Sequence, residues 1–212
     1  DKDINVISVL RAGIVVINTN GELYGNGRNS SGELGNGNLT SKRYMEKSTT
    51  APTNSKTLLF SNWNQESYGS DNGTVGIVTD DNKLYMAGNS SGYVTGQGNE
   101  TDLTSFTLIR SDVIEGGMTY ENTIVKLTNG DLKTWGQGTN GLLGSGNTTN
   151  VTQASSAITF DIGTTTLYSQ TFEKSFLDKS GLTIMANNST TNKITLKAPS
   201  SGGALNLTLP SS

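Results

Sequence analysis

Residues 136–141, Gly-Gln-Gly-Thr-Asn-Gly, carry the G-x-G-x-x-G spacing that cradles a dinucleotide pyrophosphate. That chemistry needs a helix directly after the glycines, because its N-terminus supplies amides and a positive dipole end. The next residues are Leu-Leu-Gly-Ser-Gly-Asn-Thr-Thr-Asn, a turn-forming run and no helix, so no cofactor is expected. Two carboxylate pairs, Glu100 with Asp102 and Asp112 with Glu115, have the residue types of a glycosidase acid and base. They sit in loop-like sequence without an aromatic platform, and surface charge is their expected role. Asp80-Asp81-Asn82 lacks the alternating acidic spacing of a calcium loop and reads as a polar turn. Tyr24, Tyr85 and Trp135 have the types of a sugar-stacking row, against which stands the plainer expectation that they pack between structural elements. The chain has no His and no Cys, which removes Ser-His-Asp and Cys-His catalysis, His-containing metal sites and disulfides. No catalytic, cofactor-binding or metal-binding residue is assigned, and the chain is not expected to be an enzyme.

The 212 residues are 32% hydrophobic and 16% charged, the balance being dominated by Gly, Ser, Thr and Asn. With a net charge of −3 and basic residues scattered singly, there is no footprint for nucleic-acid phosphates, and nucleic acid is not an expected partner. No apolar run reaches the ~20 residues of a membrane span. The N-terminus, DKDINVISVL, has neither the basic start nor the apolar stretch of a signal peptide. Because it also lacks a methionine, the chain is expected to be a processed product or an excerpt. Asn-x-Ser/Thr sequons are plentiful, among them those that begin at Asn29, Asn38, Asn89, Asn99, Asn147 and Asn206, as composition alone would produce.

One pattern recurs three times and must position everything else. GELYGNGRNSSGELGNG (21–37), NKLYMAGNSSGYVTGQG (82–98) and GDLKTWGQGTNGLLGSG (130–146) each come after an apolar strand and a polar turn. The turns fall at Asn20-Gly21, Asp81-Asn82 and Asn129-Gly130 and predict three hairpins with type I′ geometry. The shared positions are Gly21 and Gly130 in the turns, then Leu23, Leu84 and Leu132, then Gly27, Gly88 and Gly136. Each copy closes on a glycine pair: Gly35 and Gly37, Gly96 and Gly98, Gly144 and Gly146. Gly27, Gly88 and Gly136 are 61 and 48 residues apart, a period that suits one four-stranded sheet per copy. The predicted fold is all-β, with three propeller-like blades and a C-terminal β-hairpin module. The blades occupy 1–153 and the module 154–212, with residues 175–182 a candidate fourth hairpin.

The glycine signature resembles the repeat of the regulator of chromosome condensation family, whose run is G-x-L-Y-x-W-G-x-N-x-x-G-Q-L-G-x-G. Copies one and three match the ending at Gly32 to Gly37 and Gly141 to Gly146, while in copy two Gly92 sits one place early. The family tryptophan stands at Trp135, with Asn26 and Ala87 in the other copies. The resemblance implies a β-propeller over about residues 5–150, and the family ring usually closes with seven blades. Three blades leave a ring open. More blades, other chains or another partner must then complete it.

The end of the chain, NKITLKAPSSGGALNLTLPSS, alternates Ile194, Leu196 and Ala198 before a Pro-Ser-Ser-Gly-Gly turn, then Leu205, Leu207 and Leu209. Period-two alternation on both sides of a turn predicts a hairpin with one apolar face. This segment resembles one found in bacteriophage tail-fibre and related virion proteins. That resemblance implies packing of identical chains, trimers above all, through Ile194, Leu196, Leu205, Leu207 and Leu209. The function expected is that of a virion structural protein, such as a tail fibre, head fibre or decoration component. Its expected partners are other virion proteins and a host-surface receptor or glycan. The alternative is a cellular or secreted propeller that binds protein partners.

Overall fold

The computed structural model describes residues 3–10, 12–61, 73–159, 182–185 and 193–196. The chain divides into two compact units, Asp1–Ile162 and Gly163–Ser212. Among the described residues there is no α-helix, and no helix is long and apolar enough to cross a membrane.

The first unit holds three four-stranded antiparallel sheets, each a simple meander. The first comprises β1 (Ile4–Leu10), β2 (Gly13–Asn18), β3 (Leu23–Gly27) and β4 (Lys42–Lys47). The second comprises β5 (Ser55–Ser61), β6 (Thr74–Thr79), β7 (Leu84–Gly88) and β8 (Leu103–Arg110). The third comprises β9 (Val113–Met118), β10 (Asn122–Leu127), β11 (Leu132–Gly136) and β12 (Ile158–Thr159). Each predicted hairpin is therefore the centre of a blade, with one further strand on either side.

Burial along the central strands depends on place in the stack. In β6, Thr-Val-Gly-Ile-Val-Thr, every residue is buried because both faces of the middle blade are covered. In β10, Asn-Thr-Ile-Val-Lys-Leu, only alternate residues are buried, because one face of the third blade is open. The joint between blades one and two brings Leu10, Val15, Ile17 and Leu23 against Leu58, Val75, Ile77 and Phe106. The next joint brings Leu59, Val78, Leu84 and Met86 against Val113, Val125, Leu127 and Trp135. Each such fully buried side chain contributes about 1.5–3 kcal/mol of transfer free energy, and no blade can bury both its faces alone.

Two expectations change. The hairpins are not two-residue type I′ turns but three-residue loops. Asn18 N donates to Glu22 O at 3.0 Å and Gly21 N to Asn18 O at 3.0 Å; the pairs Thr79/Lys83 and Leu127/Asp131 repeat this. Only the last loop residue has positive φ, 75° at Gly21, 61° at Asn82 and 91° at Gly130, which is the type I turn with a left-handed residue after it. Asn18 fixes this geometry by accepting from Asn20 N and Glu22 N through its side-chain oxygen. The blade boundary also moves. Ile158–Thr159 pairs with β11 as the outer strand of the third sheet, so the blades run past residue 153. The long loop that precedes Val151 hides this strand from a reading tied to the glycine pattern.

In the second unit, β13 (Leu182–Met185) pairs antiparallel with β14 (Lys193–Leu196) in the register Leu182 with Leu196 and Ile184 with Ile194. The expected partner strand at Leu205, Leu207 and Leu209 and most of the candidate fourth hairpin at 175–182 lie outside the described residues.

Candidate functional site

The glycine clusters lie between the third and fourth strands of each blade, and the loops of the first two cross onto the next blade. Leu34, 2% exposed, enters the core shared with Phe106 of blade two. Gly35 comes next at φ 57°, and a Cβ there would clash with Cδ2 and Cε2 of the Phe106 ring. Thr50 ties the two together, donating to Gly35 O at 2.5 Å and accepting from Phe106 N at 2.9 Å. In the next joint Val94 O accepts from Trp135 Nε1 at 2.9 Å and from Thr123 Oγ1 at 2.7 Å. Gly96 again leaves room for the ring, since a Cβ on it would lie 2.6 Å from Trp135 Nε1. The loops are further stitched by Gly37 N donating to Thr104 O at 2.8 Å and Gly98 N to Thr152 O at 2.9 Å. Arg110 Nη1 adds a bond to Ala154 O at 2.8 Å.

The sequence does not single out the residues that hold these loops in shape. Asn29, fully buried, accepts from Leu34 N at 2.8 Å and donates to Asn38 O at 2.8 Å. Asn89 accepts from Ser91 N and donates to Asp102 Oδ1. The available signal is an asparagine shortly after Gly27 and Gly88, which by pattern alone reads only as a sequon.

Glu33 is the buried acid of the first loop, 2% exposed, accepting from Ser31 N at 3.0 Å and reaching Gly73 N of the next blade at 3.5 Å. Burial pushes its carboxyl above the ordinary value of 4.5, against the opposing pull of backbone amides and of Arg28. The folded chain therefore holds this proton more tightly than the unfolded chain. Its contribution is full below pH 4.5 and is lost as pH rises through the raised value. Glu33→Gln is expected to flatten that part of the stability profile, read by thermal melts from about pH 4 to 7. A profile identical to that of the parent chain would contradict the assignment.

The candidates for chemistry are each engaged in loop or surface contacts. Glu100 accepts from Gly92 N, and Asp102 accepts from Ser90 N and Asn89. Asp112 pairs with Arg110 at 2.6 Å and Glu115 with Lys126 at 3.2 Å. Asp81 pairs with Lys83 at 2.6 Å and accepts from Thr79 Oγ1, and hydrogen bonds hold its carboxyl well below the usual range. Among the described residues no acidic cluster could hold a metal ion. Gly136–Gly141 runs from the end of β11 into one 3-10 turn, Thr139–Gly141, and not into an α-helix. Tyr24 and Tyr85 share a position in register, opposite Val16 and Ile77, whereas Trp135 is fully buried two places further along its strand. These three side chains therefore make no row.

Among the described residues, both end faces of the array carry exposed apolar side chains. On the first blade Ile7 is 67% and Ile14 40% exposed, flanked by Tyr24. Glu22 lies beside them and is held down to about 2, chiefly by its hydrogen bond from Lys47. On the third blade a groove of about 340 Å³ is lined by Gly117, Met118, Ile124, Thr134, Leu142 and Leu143. A second cleft, of about 310 Å³, is polar and lies between the first hairpin loop and Thr53–Lys56. These surfaces can recognise shape, apolar groups and hydrogen-bonding groups; no described group in them is set up to move a proton.

No protein-family model matches the chain, and no curated protein sequence does. Solved structures do resemble it. Prp20p from Saccharomyces cerevisiae, solved together with its binding properties to Gsp1p and histones, superposes with a TM-score of 0.61 at 13% identity, over 77% of this chain and 39% of that one. Yeast RCC1 (Prp20) bound by Kap60 gives 0.59 at 13% identity, over 77% and 38%. Human WBSCR16 gives 0.52 at 16% identity, over 65% and 34%. The chain thus spans between a third and two-fifths of the length of these proteins. At such identities the likeness is one of fold: the described blades have the architecture of an RCC1-type β-propeller.

Proposed function

We propose that the chain is a structural component of a bacteriophage virion, in a tail fibre, head fibre or decoration role, acting by assembly and surface contact and not by catalysis. The observation that carries the assembly part is the exposed aliphatic face of the first blade, because contiguous apolar surface at a blade position is what neighbouring blades bury. The virion part rests on the resemblance of the C-terminal segment to fibre proteins; in that segment Ile194, Leu196, Leu205, Leu207 and Leu209 alternate with polar residues, the pattern that would give identical chains a shared apolar face. Threefold association is favoured there, and host-surface contact would fall to the exposed loops. A protein-binding propeller is the second reading. Its support is the fold shared with yeast RCC1, a protein solved with Kap60 bound.

Replacing Leu205 and Leu207 by Asp is the test, since charges entering a shared apolar face lose their hydration without gaining partners. The mass by light scattering is expected to fall below that of the parent chain. An unchanged mass counts against the joining role and brings the second reading forward.

A further inference from the structure

Each internal joint is made of a trailing half and a leading half. The trailing half is the far face of one sheet with its glycine loop. The leading half is the near face of the next sheet with its outer strand. Among the described residues one half of each kind is left over. On the first blade the strand register places Ile7, Ile14 and Met45 where the second blade has Leu58, Val75 and Phe106. The second set is 8%, 0% and 7% exposed, the first 67%, 40% and 42%. On the third blade Leu142, 55% exposed, stands where Glu33 crosses to Gly73, and the 340 Å³ groove beside it is where a next blade would enter. Gly146 N is the third member of the series Gly37 and Gly98, and among the described residues no carbonyl accepts from it.

We propose that these two halves form one interface, closed by a second copy of this chain: the loop and groove of the third blade seat on the Ile7, Ile14 and Met45 face of the other copy, and reciprocally. The same pairing of halves already occurs twice within the chain, which is why a second copy is the occupant and why its orientation is head to tail. Head-to-tail joints close only if the rotation closes. Propellers hold about four to eight blades; the described residues of one copy bring three blades, so three copies would bring nine and two copies, making six, are the number that fits. One difference sets the strength. Lys126 occupies the place of Ile17 and Val78 and pairs with Glu115 at 3.2 Å, so the new joint is less apolar than the internal two and is reversible. The inference rests on the assembly part of the proposed function but uses a surface apart from the C-terminal segment.

Light scattering of the Leu205→Asp/Leu207→Asp chain across a dilution series removes any C-terminal association and reads the blades alone. A mass of two chains falling to one on dilution is expected. Adding Ile7→Asp and Met45→Asp should leave one chain throughout with an unchanged melting temperature, because both side chains are exposed. The chain has no cysteine, so a mixture of Ala12→Cys and Leu142→Cys chains gives a second readout under mild oxidation. Ala12 holds the position of Gly73, and a cross-link between the two different chains is expected, with neither linking to itself. A one-chain mass at every concentration, or self-linking of the Ala12→Cys chain, would overturn the proposal. If only the C-terminal joining role is wrong, the Leu205/Leu207 variant keeps the mass of its parent and the two-chain state survives. If only this inference is wrong, that variant is a monomer while the parent still associates.

Discussion

Trp135→Ala is expected to lower the stability of the blade unit by about 3–5 kcal/mol, the range for deleting a large buried aromatic side chain. Trp135 is fully buried in the core between blades two and three, and its indole N–H donates to Val94 O across that joint. Truncation therefore leaves a cavity against Gly96 and Ala154 that the β11 backbone, paired on both sides, cannot collapse to fill. Trp135→Phe separates the two contributions. It keeps most of the ring, and Val94 O retains its bond from Thr123 Oγ1, so the lost hydrogen bond should cost only about 0.5–1.5 kcal/mol beyond the change in volume. Urea unfolding of both variants measures this. A Trp135→Ala chain within about 1 kcal/mol of the parent would mean that the second joint is not held as described.

Gly35→Val is expected to cost about 2–5 kcal/mol, the sum of a left-handed backbone penalty of ~1–2 kcal/mol and an overpacking penalty of ~1–3 kcal/mol. The residue sits at φ 57° with its carbonyl fixed by Ser48 and Thr50, so the loop cannot turn away. The Phe106 ring occupies the space a side chain would need. Gly130→Val is the control, at φ 91° with nothing within 4 Å of an added Cβ. It carries the backbone penalty alone. The difference between the two melting temperatures is thus a direct reading of the first blade joint, and equal losses would show that Gly35 is needed for its backbone conformation only.

Legibility in the sequence depends on distance along the chain. The three hairpins are readable because a strand, a turn and a return strand lie within about fifteen residues, and Asn-Gly or Asp-Asn between apolar runs has a local cause. The type of turn is not, because the choice between a two-residue and a three-residue loop depends on backbone N–H groups donating to the side-chain oxygens of Asn18 and Thr79, which the dipeptide alone does not specify. The outer strand Ile158–Thr159 escapes a sequence reading because only two residues pair, too few to show any alternation. Asn29 and Asn89 escape it because a buried, fully bonded amide and an exposed one have the same letter.

The repeat, the strand pairs nearest each turn and the lack of His- and Cys-based chemistry are all settled by residue type and short spacing, and no folded structure is needed to see them. Which side chain meets which across a joint is settled only once the sheets are packed: Gly35 is the seat of Phe106, Gly96 is the seat of Trp135, and the first and third blades each keep one face open. Those contacts join residues about 40 to 70 positions apart, and they are fixed by how neighbouring sheets twist and stack. Two strands with nearly the same pattern, β6 and β10, are told apart only by whether another sheet lies against them.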